Sequence, residues 1–260
     1  MVAVLAREVR DGDVVGVGLG TPMALCACLV ARRTHAPRAD LLVAGAVSPD
    51  ADLLTCMRGA GALEGRTAGY VPHIDTMDMA ERQAMTLQFL RPAQVDGAGS
   101  TNTSSIRPPG GRVLRLPGGL AMADVPRLMP RVVLYHTDHR PRGLVERVDV
   151  VTGRGGPSER GGYRSEGPTV LVTDLCVIAL GEDGARLVSL HPGVDAGRAI
   201  EATGFPLSAG PRVPGTEPPR PEEIAAMEEL DPHGLRGVEA RDTRADALPR
   251  MAGLLEGAER

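Results

Sequence analysis

Length, composition and charge exclude several classes of protein. The chain has 260 residues, is 42% hydrophobic and carries a net charge of −4, with acidic and basic residues interspersed. Such a chain can bury the core of one large α/β domain, whereas a nucleic-acid binder usually shows a basic stripe. No apolar run approaches the roughly 18 residues that a membrane-spanning helix needs. We therefore expect a protein that binds neither nucleic acid nor membrane.

The cysteines indicate a reducing compartment and not a metal centre. None of the four, Cys26, Cys28, Cys56 and Cys176, has the CxxC spacing of a metal site. The first residues lack the basic segment and the cleavage site of a signal peptide. We expect reduced, buried thiols, no bound metal and a cytoplasmic location.

The first 43 residues predict a strand–helix–strand unit. Residues 2–10 have helical periodicity, and Val14–Gly20 are typical of a short strand that runs into glycines. Residues 21–35 predict a helix, since Thr21 suits the N-cap and Pro22 the first helical position. The next strand is Leu41–Val43. Because consecutive parallel strands need such a crossover, the pattern indicates an α/β fold with an open, parallel-rich sheet flanked by helices.

The later elements continue this pattern without a clear linker, so we predict one domain over residues 1–260. Strands are predicted at Val113–Leu116, Val132–Tyr135, Val148–Val151, Val170–Thr173, Cys176–Leu180 and Arg186–Leu190. Helices are predicted at Asp75–Gln83, Asp195–Ala202 and Glu222–Glu229. Residues 152–168, rich in glycine and charge, predict a mobile loop. Residues 242–260 predict a polar C-terminal tail with a short amphipathic helix.

A glycine-rich turn precedes the first crossover helix. In "VGVGLGTP", Gly18, Gly20 and Thr21 lie between a strand and a helix N-terminus, where backbone N–H groups can bind an anionic part of a substrate. The alternative is tight packing of the strand–helix turn. We do not expect a dinucleotide site, because no acidic residue stands in the required place on a following strand.

Two further segments carry candidate site residues. The loop "AQVDGAGSTNTSSI" concentrates polar groups, including Gln94, Ser104 and the only asparagine of the chain, Asn102. Its alternative is an ordinary Asx/Gly turn. Gly118 and Gly119 follow a predicted strand and permit close approach of backbone to a thioester or carboxylate oxygen, although a hairpin or helix cap would also explain them. His191 and Cys56 fit structural roles better than catalytic ones.

Together these segments resemble the small (β) subunit of the class I CoA-transferase family, most of all the glutaconate CoA-transferase type. The polar loop keeps the family pattern AQVDxxGNxNxxxI at Gln94, Val95, Asp96, Gly99, Asn102 and Ile106. Further matches are "LPGGLA", "LVSLHPGV", "ATGFPL" and "ELDPHGLR". The resemblance implies a CoA-transferase (NagB/RpiA-like) fold and an acyl-CoA substrate with no other cofactor. It also implies a CoA-transferase-like α-subunit as partner, in an α2β2 assembly.

One family residue is missing. In the family's transferases a catalytic glutamate, within a Glu-Ser-Gly or Glu-Asn-Gly turn, follows the strand that corresponds to Leu41–Val43. Here that position is Ala44, and a shift of register gives Gly45 or Ala46. Alanine cannot attack an acyl-CoA carbonyl as glutamate does. Asp50 and Asp52 are six and eight residues away, and we do not expect either to substitute.

The missing glutamate favours a decarboxylase of glutaconyl-type CoA thioesters, because that reaction needs an oxyanion site and orientation but no nucleophile. Backbone N–H groups near Gly118 and Gly119, or those at 44–46, would hold the thioester oxygen. Gln94, Asn102 and Ser104 would orient the acyl group, so replacing Asn102 by alanine should lower turnover with little loss of fold. Three alternatives stay open: a hydrolase of ring-derived CoA thioesters, a scaffold whose partner performs the chemistry, and a CoA transferase.

Overall fold

The computed structural model describes residues 1–18, 20–43, 45–119, 122–160, 163–165, 167–181 and 183–256. The predicted catalytic position Ala44 lies outside the described residues. The chain packs as two compact units, one formed by Met1–Met79, Ala84–Leu87 and Pro218–Arg260, the other by Ala80–Gln83 and Gln88–Glu217. The assignment of the whole chain to one domain stays a prediction.

The first unit is a small mixed sheet with helices, built on the predicted crossover. Its N-terminal elements are α1 (Val2–Arg7), β1 (Val14–Val17), α2 (Pro22–Arg33), β2 (Asp40–Val43), β3 (Ala46–Val47), α3 (Leu53–Met57), β4 (Gly69–Tyr70) and most of α4 (His73–Glu81). Strands β1 and β2 pair in parallel, as predicted, whereas β2–β3 and β3–β4 are antiparallel. Strand β5 (Leu87–Leu90) contributes Leu87 to this unit and its other residues to the second.

The second unit contains a mixed sheet with strand order β16-β15-β14-β13-β10 and three two-stranded ribbons. Its elements are β6 (Gln94–Val95), β7 (Thr101–Asn102), β8 (Ser105–Ile106), β9 (Leu114–Arg115), α5 (Val125–Leu128), β10 (Arg131–His136), β11 (Ser158–Arg160), β12 (Tyr163–Ser165), β13 (Pro168–Thr173), β14 (Cys176–Ala179), β15 (Ala185–Leu190), α6 (Ala196–Glu201) and β16 (Leu207–Ser208). The runs Val132–Tyr135 and Leu171–Thr173 are buried throughout, as expected of strands covered on both faces.

The C-terminal segment returns to the first unit as α7 (Pro221–Leu230), a 3-10 helix (Leu235–Val238) and α8 (Arg241–Glu256). Helix α2 is buried from Pro22 to Ala31 and packs against α1, α7 and the 3-10 helix. Arg7 of α1 holds Glu223 of α7 in a bidentate pair, with Nε–Oε1 2.9 Å and Nη2–Oε2 2.6 Å. Burial raises the pKa of Glu223, but the Arg7 hydrogen bond and the Arg220 N–H outweigh it and leave that pKa lowered.

Most predicted elements are confirmed, and three differ. Residues 148–151 are not a strand. The Asp149 N–H donates to the Gln94 side chain instead of a neighbouring strand, and the Asp149 carboxylate accepts from Arg107 N–H. The predicted loop 152–168 contains the antiparallel pair β11–β12. The predicted tail begins with α8, which at 16 residues is longer than expected, while residues 257–260 lie outside the described residues.

Candidate functional site

Positions 45 and 46, which follow β2, leave little room for a carboxylate. Gly45 has φ of +85°, and a Cβ there would lie 3.0 Å from the carbonyl oxygen of Val71. Because that backbone region strains residues with a side chain, position 45 requires glycine. Ala46 is fully buried in β3 between Val43 and Tyr70, where a carboxylate would lose its hydration. Only position 44 is left as a counterpart of the family glutamate.

Of the two acidic residues that follow β3, Asp50 and Asp52, the second stabilises a helix. Asp52 is the N-cap of α3, and its Oδ1 accepts a hydrogen bond of 2.7 Å from Thr55 N–H. An N-cap carboxylate stabilises the first turn of its helix. This contact gives Asp52 a structural role in α3.

Asn102 lies at the centre of the polar loop in the second unit. Its side chain is fully buried, and its Nδ2 donates to Gln94 Oε1 at 2.7 Å and to the Ser105 carbonyl at 2.8 Å. Its Oδ1 accepts from the N–H groups of Ser104, at 2.9 Å, and Ser105, at 3.3 Å. Both ends of the amide are therefore used inside the chain, so Asn102 positions the loop and has no free edge for an acyl group.

Gln94 and Ser104 meet at the same asparagine but differ in exposure. Gln94 is 4% exposed, and its Oε1 accepts from both Asn102 and Asp149 N–H. Ser104 is half-buried, and its Oγ contacts Thr152 Oγ1 at 2.7 Å. The structure thus brings Gln94, Asn102 and Ser104 together, and of the three Ser104 is the most accessible.

Thr152 is a member of this cluster that sequence analysis did not select. Besides Ser104, its Oγ1 accepts a hydrogen bond from Thr103 N–H at 3.1 Å, and its methyl group lies beside Gly119. It is 48 residues from Ser104 along the chain, so no local pattern links them. The sequence placed it at the start of the predicted loop 152–168, and only the fold shows its partners.

The two glycines differ in what their backbone can offer. Gly118 has φ of +101°, which favours glycine. Its N–H donates to the Thr103 carbonyl at 2.8 Å and its carbonyl accepts from Thr103 Oγ1 at 2.8 Å. The Gly118 N–H is therefore already committed, which leaves Gly119 as the candidate donor of this pair.

Two polar groups at the glycine turn of the first unit, the Gly18 carbonyl and the Met23 N–H, already have hydrogen-bond partners within the chain. Thr21 precedes α2 as predicted, but its Oγ1 donates to the Gly18 carbonyl at 2.6 Å and does not cap the helix. The Met23 N–H in the first turn of α2 donates instead to Glu239 Oε2 at 2.6 Å. This turn contains the predicted substrate-binding residues Gly18, Gly20 and Thr21. The helix that follows it, α2, is already hydrogen-bonded at its first turn to the Glu239 carboxylate.

The histidines and cysteines give no activated nucleophile in the part of the chain described. All four cysteines are free and buried, and burial raises the pKa of Cys176 to about 11. Its Sγ lies 3.8 Å from His139 Nδ1, whose pKa burial lowers to about 4 although Asp174 opposes the shift. A thiol and a neutral imidazole do not make the ion pair of a cysteine nucleophile. His191 bridges Thr216 Oγ1 and the Thr173 carbonyl, in the structural role expected of it.

His139 makes the stability of the protein depend on pH. It bridges the hydroxyls of Thr173 and Thr203 at 2.8 Å each and is 3% exposed. Its folded-state pKa of about 4 is below the unfolded value of 6.5, so its stabilising effect is complete above pH 6.5. We expect this contribution to fall by at most about 1.4 kcal/mol per pH unit as the pH drops from 6.5 towards 4.

Urea unfolding of the parent and of His139→Gln at pH 7 and pH 5 measures this effect. The variant should lose less stability between the two pH values, because glutamine does not titrate. His35→Gln, at an exposed histidine, should behave as the parent does. An equal pH dependence in His139→Gln and the parent would contradict the assignment.

Among the described residues, no group of His, Cys, Asp and Glu side chains has the arrangement of a metal site. Within the same part of the chain, every helix is too short or too polar to cross a bilayer.

Comparison with known proteins identifies the family, although no family model matches the chain. The decarboxylase AibA/AibB contains a chain that is 32% identical, with a TM-score of 0.81, over 92% of this chain and 96% of that one. One of the subunits of the 3-oxoadipate CoA-transferase of Pseudomonas knackmussii is 29% identical over 94% of both chains. The cholesterol ring-cleaving hydrolase IpdB subunit of Mycobacterium tuberculosis is 28% identical over 91% of this chain and 95% of its own. These relatives confirm the predicted α/β fold, and the chain belongs to the class I CoA-transferase family as a β-subunit that lacks the catalytic glutamate.

Proposed function

We propose that this chain is the β-subunit of a heteromeric enzyme that removes carbon dioxide from a carboxylated, glutaconyl-type acyl-CoA without a cofactor. The observation that carries the proposal is the end of β2, where the sequence from Val43 to Ser48 has no acidic residue. Gly45 and Ala46 cannot accept one without strain or burial. The 32% identity to the AibA/AibB decarboxylase supports the same reaction.

Decarboxylation suits a site without a nucleophile. The bond from carbon to the remote carboxylate breaks, carbon dioxide leaves, and the electron pair spreads through a dienolate onto the thioester oxygen. A proton from solvent then restores an enoyl-CoA. The enzyme must orient the substrate and stabilise the oxyanion with fixed N–H donors.

We assign a role to each residue according to its exposure and to whether its polar atoms are already hydrogen-bonded within the chain. Ser104, half-buried at the surface of the polar loop, would contact the acyl group. Asn102 and Gln94 would hold Ser104 in place, since their side chains are buried and bonded to each other. The N–H of Gly119 would donate to the thioester oxygen. An α-subunit, suggested by the two-component relatives AibA/AibB, would complete the enzyme as α2β2.

Mass spectrometry of the products tests the proposal. The chain is co-expressed with the protein encoded beside it, and the complex receives glutaconyl-CoA or 3-methylglutaconyl-CoA. We expect a CoA thioester lighter by one carbon dioxide, and no change in crotonyl-CoA, which has no carboxylate to lose. Substrates returned intact by a complex that binds them would contradict the proposal.

Further assays of the same complex and of the partner alone separate the alternative activities. A hydrolase would convert a cyclic diketone thioester into a product that has gained water. A transferase would exchange labelled CoA between two acids. If the partner alone bound and converted the substrate, this chain would be a scaffold.

A further inference from the structure

At the N-terminus of α2, where an anionic ligand could bind, a carboxylate of the chain itself accepts a hydrogen bond from the helix. Pro22 has no N–H, so Met23 carries the first unpaired N–H of the helix, and that group donates to Glu239 Oε2 at 2.6 Å. Glu239 is 6% exposed. A buried carboxylate at this point interacts favourably with the positive end of the helix dipole. The position where the glycine turn would bind a phosphate therefore already carries a negative charge.

The segment that delivers Glu239 is itself fixed. Asp231, at the end of α7, is buried, and its carboxylate accepts from Leu235 N–H at 2.6 Å and from Arg236 N–H at 3.1 Å. The Arg236 side chain adds a contact of 2.6 Å to the same carboxylate. These bonds hold the 3-10 helix Leu235–Val238, which packs on α2 and ends immediately before Glu239. We call this arrangement, residues 231–239, the C-terminal clasp.

The helix that the clasp contacts, α2, follows a glycine turn that begins close to the position of the family glutamate. Val17, the last residue of β1, pairs in register with Val43, the residue before position 44. The glycine turn therefore begins at the sheet edge where the family glutamate would follow. Fixing the start of α2 fixes the far end of this turn.

We propose that Glu239 is a positioning residue for this edge of the site, and that its carboxylate excludes the phosphates of CoA from the α2 N-terminus. The glycine turn then shapes the acyl end of the site, and the nucleotide end of CoA binds elsewhere. The catalytic part of this inference rests on the proposed function. The anion-binding part does not, because it concerns a contact within the chain.

Replacing Glu239 by alanine in the complex removes the carboxylate beside the Met23 N–H. Formate, a small carboxylate, is the probe that can bind in its place. We expect the melting temperature to fall by about 5 °C, since a charge-assisted hydrogen bond is lost and a buried N–H is left unpaired. We expect kcat to fall about tenfold with KM for acyl-CoA unchanged. Added formate should restore both values in Glu239→Ala and leave the parent unaffected, while chloride at equal ionic strength should not.

Two comparisons keep the result interpretable. Glu228→Ala, at an exposed glutamate of α7, removes the same charge and should match the parent. If Glu239→Ala gives no folded complex, Glu239→Ser replaces it, because serine also leaves room beside the Met23 N–H, and inorganic phosphate should then stabilise this variant but not the parent.

Several outcomes would overturn the inference: a melting temperature of Glu239→Ala equal to the parent's, formate acting no better than chloride, or KM rising while kcat is constant. Where Glu239→Ser is used, its failure to respond to phosphate counts in the same way. Because the melting measurements need no substrate, they judge the clasp even if the complex decarboxylates nothing. Inactivity of the parent complex would reject the proposed function alone.

Discussion

Replacing Ala44 by glutamate is expected to lower the rate of decarboxylation about a thousandfold. A glutamate there restores the family's acidic residue beside a substrate that carries its own carboxylate. Two unit charges ~4 Å apart at an effective dielectric of 20 repel by roughly 4 kcal/mol, which corresponds to about three powers of ten in rate. The measurement is kcat/KM of the co-expressed complex with glutaconyl-CoA as substrate.

Ala44→Gln is the matched control, because glutamine has the size of glutamate without its charge. If repulsion dominates, the glutamine variant keeps most of the activity, and the glutamate variant recovers as the pH falls towards the ordinary pKa of glutamate, about 4.3. Equal losses in the two variants would mean that position 44 provides space and not freedom from charge. Full activity of Ala44→Glu would reject the role assigned to this position.

The glutamate variant also tests the relation to the transferases. If only the missing carboxylate separates this chain from them, Ala44→Glu should gain exchange of labelled CoA between acids, through a covalent thioester on the new side chain. Gly45 beside it is already fixed by its positive φ and by the Val71 carbonyl. The turn that follows is therefore set independently of residue 44.

Local patterns in the sequence were sufficient for much of the fold. Helix α2 was predictable because Thr21, Pro22 and a continuous apolar run specify where it begins and that it is buried. Its actual cap, Glu239, was not predictable. The contact joins residues 216 positions apart, and a lone glutamate after "LRGV" carries no periodic signal.

In the candidate site, too, local sequence patterns did not reveal which residues contact one another. The single asparagine indicated that Asn102 matters, and the structure places it at the centre of the polar loop. The sequence could not tell whether its amide faces a ligand or the chain, because that depends on Gln94, Ser104 and Ser105 converging on it. Residues 148–151 looked like a strand for a related reason: their alternating pattern was visible, but the side chain of Gln94 that binds Asp149 N–H was not.

Replacing Asn102 by alanine is therefore expected to cost stability, about 3 kcal/mol of the free energy of unfolding. The substitution leaves the Ser105 carbonyl and the N–H groups of Ser104 and Ser105 without their partner, and each unpaired group in a buried setting costs about 1–3 kcal/mol where water cannot replace it. Urea unfolding measures the loss. A fall of roughly 6–10 °C in melting temperature should accompany it.

Ser104→Ala separates positioning from contact with the substrate. This variant loses one half-buried hydroxyl pair with Thr152, so it should cost about 1 kcal/mol or less of stability. If Ser104 contacts the acyl group and Asn102 acts through it, both variants lower turnover while only Asn102→Ala is strongly destabilised. A stable Asn102→Ala protein with reduced turnover would instead support the original expectation that the asparagine orients the acyl group directly. In that case the buried amide must change partners when substrate binds, since in the free chain both of its ends are already hydrogen-bonded.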